Sequence, residues 1–589
     1  MINRISRRLV VSVEIAMLIL GVLTTTLYYL HFQKIFGNTS SRMLLVLGPY
    51  LNMGKPYTDL WEFVPPGFLM FANAWVGLFG WGMFSLRSMQ ILILAMLGIS
   101  FLLVVRKIAN NLILEFMIFL SFVLIVYSPI VQSDMLSIDM LGTTFALLGL
   151  ACLVNLKNKE FKLVSSAALF FLASQMKEIF TFSVVALIPY YLYLYREQKW
   201  GEVFKYKKRK EALIKIIKTG LLSFAGILLV GLFIGLYLSW SGAWGGYFET
   251  LKYKLMIVQP MGNVGDIVAR INFIDKLFSD NFFHWHSYLS VLFFINTIFL
   301  LFIIKPRIKL RSERHVIHID FRYSKVPKFN WEIFSVAFFS VGIFLGMIMY
   351  GQYSVDVRMI PVASSMLLLI AILLLYPILK LEKLLNKRFG LIVANIILCM
   401  FLVVYVSPQR RVIGAFFHQI KVHFYGEILK QSSYRQVYVY TSSDEVEKYI
   451  EGKTDPENCI INPYGWEVAE TYIYSHRKPC TRQFISNIAI QTKWQTIEYQ
   501  KQMLNNPPSV IFYNLNIIDL NVENFAKNVF NYPQIIKNCY TADIKYANYP
   551  YQISGSTTHI TLYWKRSDMN SEEFDACYKK YAMEGVAKI

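Results

Sequence analysis

Long apolar runs, each broken by a short cluster of charge, organise the first two-thirds of the chain. A helix needs about 20 apolar residues to cross a bilayer core. Runs of that order lie near 9–30, 87–105, 111–129, 137–156, 163–175, 179–195, 217–239, 288–304, 333–350, 361–379 and 389–406. They predict about eleven transmembrane helices, which would put the two termini on opposite sides of a membrane. Beyond 406 the pattern shortens to strand and helix lengths. VYVYT (437–441), CIINP (459–463) and SVIFYN (509–514) read as strands, and HITLYWKR (559–566) as an edge strand. Ser442 with Glu445 reads as a capping box, and helices are expected at 466–474 and 491–505. The expected architecture is a mostly α membrane domain, 1–406, followed by an α/β domain, 407–589.

Composition supports the membrane class. Of 589 residues, 55% are hydrophobic and only 16% charged, against about 25% charged in soluble domains. The net charge of +21 would suit a nucleic-acid partner, but its distribution excludes one. Residues 407–589 hold 20 Lys/Arg against 18 Asp/Glu, so the excess lies between the apolar runs. Arg4, Arg7 and Arg8 precede the first span, Lys205 to Lys210 follow the sixth, Lys305 to Arg314 the eighth, and Lys380 to Arg388 the tenth. All fall on the amino-terminal side, which the positive-inside rule makes cytoplasmic. The carboxy-terminal domain is then extracytoplasmic. The first segment lacks a small-residue cleavage site and reads as an uncleaved anchor.

Cysteines follow the same division. Cys152 and Cys399 lie within spans, whereas Cys459, Cys480, Cys539 and Cys577 lie in the outer domain. An even number in an oxidising compartment predicts disulfides. Nearest-in-sequence pairing gives Cys459–Cys480 and Cys539–Cys577, with four free thiols as the alternative in a compartment without an oxidant.

Outer loops are where polar residues concentrate. The first, 31–86, has apolar stretches too short to span, which read as interfacial helices. Within it stand G-K-P-Y-T-D-L-W-E-F-V-P-P-G (54–67) and L-F-G-W-G-M-F-S-L-R (78–87). Other outer segments are SDMLSID (133–139), ASQMKEIF (173–180), 240–287 and YSVDVRMIP (353–361). In these motifs, and in the order of spans and outer domain, the chain resembles bacterial polyprenyl-phosphate-sugar glycosyltransferases of the membrane C-type fold. Protein O-mannosyltransferases and aminoarabinose transferases belong to the same superfamily. Two departures stand out. Thr39, Ser40 and Ser41 stand before Arg42 where the family often has an acidic pair, and Glu62-Phe63-Val64-Pro65-Pro66 lacks the Lys of the family's Glu-Lys-Pro-Pro motif.

The resemblance implies an enzyme of the bacterial inner membrane. It would move a sugar, with inversion, from a polyprenyl phosphate or pyrophosphate to an extracytoplasmic lipid, glycan or protein. Such a transfer needs a base for the acceptor's proton and cations for the leaving phosphate. Tyr57 and Asp59 match the family's Y-x-D pattern, which makes Asp59 the expected base, with Asp134 as a second catalytic acid. A solvated turn acid beside Pro56 is the alternative for Asp59, and a helix cap the alternative for Asp139. Arg42, Tyr57, Glu62, Arg87, Lys177 and Arg358 are the expected substrate-binding residues. Plain ion pairs, Arg358 with Asp356 and Lys177 with Glu178, are the alternatives there. No protein-bound metal or cofactor is expected, and a divalent cation stays open. An O-antigen polymerase or ligase is the alternative enzyme. A polytopic transporter is disfavoured because no internal repeat is visible.

Overall fold

The computed structural model describes residues 2–30, 54–60, 65–80, 83–109, 112–127, 137–196, 206–253, 307–313, 316–322, 330–349, 359–384, 444–462, 471–472, 475–482, 493–513, 529–547, 549–553 and 556–584. In chain order the helices begin with α1 (Ile2–Leu30), α2 (Pro66–Phe79), α3 (Met83–Ala109), α4 (Leu112–Val126), α5 (Ile138–Asn155) and α6 (Lys159–Ser174). A 3-10 segment (Glu178–Ala186) leads into α7 (Leu187–Arg196), then α8 (Tyr206–Ser241) and α9 (Trp244–Tyr253). Strands β1 (Arg307–Glu313) and β2 (Val316–Arg322) precede α10 (Trp331–Met349) and α11 (Met359–Leu384). The last stretch holds α12 (Asp444–Lys453), β3 (Ile460–Ile461), α13 (Lys493–Asn505), β4 (Val510–Tyr513), α14 (Tyr532–Cys539), β5 (Tyr540–Ala542), β6 (Tyr549–Ile553), β7 (Ser556–Lys565) and α15 (Ser571–Ala582).

Three helical stretches among the described residues are long and apolar enough to cross a membrane: Ser85–Ala109, Ile138–Asn155 and Ile217–Ser241. The last turns Leu221, Phe224, Leu228, Leu232 and Leu236 outward. A row of exposed large apolar side chains along one helix requires an apolar surrounding, and the chain is a membrane protein. The predicted eighth and eleventh spans and the strand at 437–441 lie outside the described residues. Each other predicted span falls on helix. The sixth begins as 3-10 and turns α-helical at Leu187. The antiparallel hairpin of β1 and β2, with Arg307 opposite Arg322, replaces the loop expected after the eighth span.

The chain divides into two compact units. One comprises 1–29, 89–233 and 259–429. Here Glu14, fully buried, and Glu115 share one guanidinium, Arg106, at 2.7 and 2.6 Å. Tyr127 donates to the Leu94 carbonyl at 2.6 Å, and Gly98 leaves the space that Leu18 and the Tyr127 hydroxyl occupy. The 3-10 segment is gripped from two sides. Gly142 of α5 lies under the Phe180 ring, while Gly342 and Gly346 of α10 admit the Phe182 and Ile179 carbonyls. A Cβ at Gly346 would sit 2.3 Å from the Ile179 oxygen. Small residues four apart permit this backbone approach.

The other unit comprises 30–88, 234–258 and 430–589, so the segments 30–88 and 234–258 group with the carboxy-terminal stretch. Its sheet runs β3-β4-β7-β5, with β3 parallel to β4, the remaining pairs antiparallel, and β6 on the start of β7. Residues 559–566 therefore form not an edge but the sheet's hub: β7 pairs with three strands along its ten residues. All four residues of β4 are buried, as expected of a strand covered on both faces. Tyr499, Phe530, Tyr532, Tyr540, Phe574 and Tyr578 dominate the core. Asn570 and Glu573 form a reciprocal capping box on α15. Both expected disulfides are present, Cys459–Cys480 and Cys539–Cys577. Asp543, nearly buried, accepts from Tyr449, Trp564 and the Lys545 and Tyr546 amides. Burial pushes its pKa up, but these bonds prevail and hold it below the ordinary carboxylate value.

Candidate functional site

The Y-x-D motif forms a closed turn. Asp59 and Leu60 donate their amides to the Lys55 carbonyl at 2.9 and 3.1 Å, and the Tyr57 amide returns to the Leu60 carbonyl at 2.8 Å. Asp59 Oδ2 accepts from the Lys55 amide at 2.9 Å, the geometry by which an Asp side chain stabilises a turn. Gly54, at φ 127, is required here, since a Cβ would fall 2.7 Å from that of Asp59. Tyr57 is wholly buried at φ 64. A bulky residue in the left-handed region costs on the order of 1–3 kcal/mol and persists only where its surroundings impose it.

Those surroundings come from distant sequence. Arg482 of the carboxy-terminal domain donates Nη2 to the Tyr57 carbonyl at 2.6 Å and to Glu249 Oε2 at 2.9 Å. Its Nη1 lies 3.6 Å from Glu498, and Gln502 Oε1 accepts from its amide at 2.7 Å. Gly246 of α9 presses on the Tyr57 carbonyl so closely that a Cβ would sit 2.2 Å from it. Tyr247 meets the Tyr57 ring edge-on at 5.5 Å. The motif's tyrosine is thus an anchor, and Asp59, like Lys55 and Thr58, is exposed on the anchored turn, as the turn-acid alternative expects. Of its two carboxylate oxygens, only Oδ2 accepts a hydrogen bond among the described residues. Trp75 of α2 ties this loop to α3 by donating to the Ser85 carbonyl at 2.8 Å.

A second constellation lies in the first unit. Lys177 Nζ bonds both oxygens of Asp139, at 2.8 and 3.0 Å, with side-chain exposures of only 8% and 5%. Ser137 is the N-cap of α5, accepting from the Met140 amide, so Asp139 is released from capping. Asp139, read from sequence as a cap, holds the lysine instead. Two hydrogen bonds and opposite charge make such burial tolerable.

Of the residues expected from sequence, Tyr57 and Asp59 come together on one turn. Arg87 is buried near the start of α3, and Lys177 is engaged with Asp139. Arg42, Glu62, Asp134 and Arg358 lie outside the described residues. Among the described residues no three His, Cys, Asp or Glu side chains gather as metal ligands would. Sequence reasoning did not find Arg482, Glu249 or Tyr247. The Gly245-Gly246 pair was the available signal, because adjacent glycines permit close backbone approach.

No family model matches the sequence, and no curated protein sequence matches it. Among solved structures, the chain is similar to the oligosaccharyltransferase AglB of Archaeoglobus fulgidus, held with an inhibitory peptide and a dolichol phosphate. That match has 11% identity and a TM-score of 0.46, over 97% of this chain and 77% of that one. It is also similar to ArnT of Cupriavidus metallidurans bound to undecaprenyl phosphate, with 10% identity and a TM-score of 0.43, over 95% and 98%. Apo ArnT gives a TM-score of 0.41.

Proposed function

We propose that this membrane protein is an inverting glycosyltransferase. It moves a sugar from a polyprenyl-phosphate carrier to an acceptor on the extracytoplasmic face, with Asp59 as the base. The observation that carries the reading is the anchored turn at 54–60. Buried Tyr57, the Arg482–Glu249 clamp and Gly246 fix the backbone, and Asp59 stands exposed on it.

A general base must meet this description before the substrate arrives. It has to be reachable by the acceptor hydroxyl, and it has to be held so that orientation is not lost at the moment of transfer. The Lys55 amide holds Oδ2 and leaves Oδ1 as the oxygen to accept the proton. The acceptor oxygen then attacks the anomeric carbon, the bond to the carrier phosphate breaks, and the phosphate leaves with the electron pair. Arg42 and Arg358, with Asp134 as second acid, are the groups proposed to complete the site.

Asp59→Asn keeps the turn's geometry and removes the base. Transfer should fall by about 10²–10⁴-fold while the protein still assembles in the membrane. Mass spectrometry of polyprenyl-linked sugars in cells expressing each form reads the donor pool. Wild type should deplete a donor that the variant leaves intact. Equal depletion by both would remove Asp59 and make Glu62 the next candidate.

A further inference from the structure

The first unit gathers charge at one set of helix ends, and one member of that cluster lacks an anionic partner among the described residues. Lys162, in the first turn of α6, is only 6% exposed. Its ammonium lies 4.5 Å from the centroid of Trp331 and 5.1 Å from that of Tyr190. These rings pack 4.6 Å apart, and Tyr193 stacks beside both, 6.4 Å from Tyr190 and 5.9 Å from Trp331. An ammonium has three donors, and no described residue supplies an acceptor for them. Glu332 is the carboxylate whose field reaches Lys162, and it is already bonded to Lys107 at 3.1 Å. Lys107 and Lys159 add positive charge around the same point.

We propose that Lys162, Lys107 and Lys159 bind the phosphate of an anionic phospholipid headgroup, in the leaflet that faces the basic loops. Lys162 has no acceptor among the described residues, and the positive charge gathered around it is what a phosphate neutralises. Its oxygens supply the acceptors that Lys162 lacks. Tyr and Trp rings are the side chains that settle at headgroup depth, so the aromatic wall sets the site there. Phe161, next in the chain and 61% exposed, offers apolar surface to an acyl chain. Negative lipids attract lysines at this depth by about 1 kcal/mol each, so a three-lysine site prefers them over zwitterionic ones. The site is separate from the Asp59 turn, and the proposal stands whether or not the transferase reading does.

The test uses the full chain in detergent micelles, as wild type, Lys162→Gln and Lys159→Gln. Unfolding temperature is followed with added phosphatidylglycerol, phosphatidylcholine or inorganic phosphate. Native mass spectrometry counts retained lipid. Phosphatidylglycerol should raise the wild-type midpoint by a few degrees and be retained preferentially, and both variants should lose at least half of that increment. Lys159 is exposed, so its variant, read against its own unliganded midpoint, reports on the lipid even if Lys162→Gln folds poorly. Equal increments in wild type and Lys159→Gln would overturn the proposal. So would millimolar inorganic phosphate reproducing the shift, which would mark a soluble-anion site.

Discussion

At the scale of single residues, geometry reassigns roles that side-chain type alone had suggested. Lys177 was legible as a cation needing a reason, and it stands between α6 and the 3-10 segment. Its partner was not legible, because the reason lies in a contact between residues 38 apart in sequence. The sequence offered Glu178 as the neighbour, but β-region backbone at Lys177 turns the chain into the 3-10 segment there. Breaking one side of a buried pair leaves an uncompensated charge, which costs about 3–5 kcal/mol, whereas replacing both with apolar residues can be neutral. Lys177→Met should therefore lower the unfolding midpoint sharply, and Asp139→Leu with Lys177→Met should recover most of the loss. A double variant as unstable as the single one would show that the pair does more than balance charge.

At the scale of elements, apolar periodicity fixed the helices and the buried β4 well, since hydropathy is a local property. Pairing partners were less legible. The sequence 559–566 alternates polar and apolar, which reads as an edge. Yet β5 and β6 take different lengths of the same strand on one side while β4 takes the other, so a ten-residue strand serves three neighbours. The 3-10 segment was legible only as an apolar run. Gly342 and Gly346 on α10 admit its backbone carbonyls, and Gly142 on α5 admits the Phe180 ring. Gly346→Val would force α10 away from the Ile179 carbonyl, because helix backbone cannot yield as a flexible side chain does. The loss should be about 1–3 kcal/mol, visible as a lower midpoint in thermal unfolding. A larger effect than Gly231→Val, which meets open space, is the expected contrast. Equal effects would mean that valine's cost within a helix, and not the close approach, sets the outcome.

At the scale of the whole molecule, sequence carries a claim that contacts alone do not: which side each end faces. The excess of positive charge over negative belongs to the segments between spans, while 407–589 is nearly balanced. Arginine and lysine resist transfer across a membrane, so the loops richest in them stay in the cytoplasm. The disulfides point the same way. Cys459–Cys480 and Cys539–Cys577 both lie in the carboxy-terminal domain, whereas Cys152, within α5, is free. Stable disulfides accumulate in oxidising compartments, so charge and sulfur chemistry support the same proposed orientation through unrelated physics. Single cysteines introduced at Lys207 and at Ile589, in a background with Cys152 and Cys399 changed to serine, test it in intact cells. An impermeant maleimide should label the Ile589 site readily and the Lys207 site only after the membrane is opened. Labelling at Lys207 in sealed cells would invert the topology. It would also place the Asp59 turn on the cytoplasmic face, where an extracytoplasmic acceptor could not reach it.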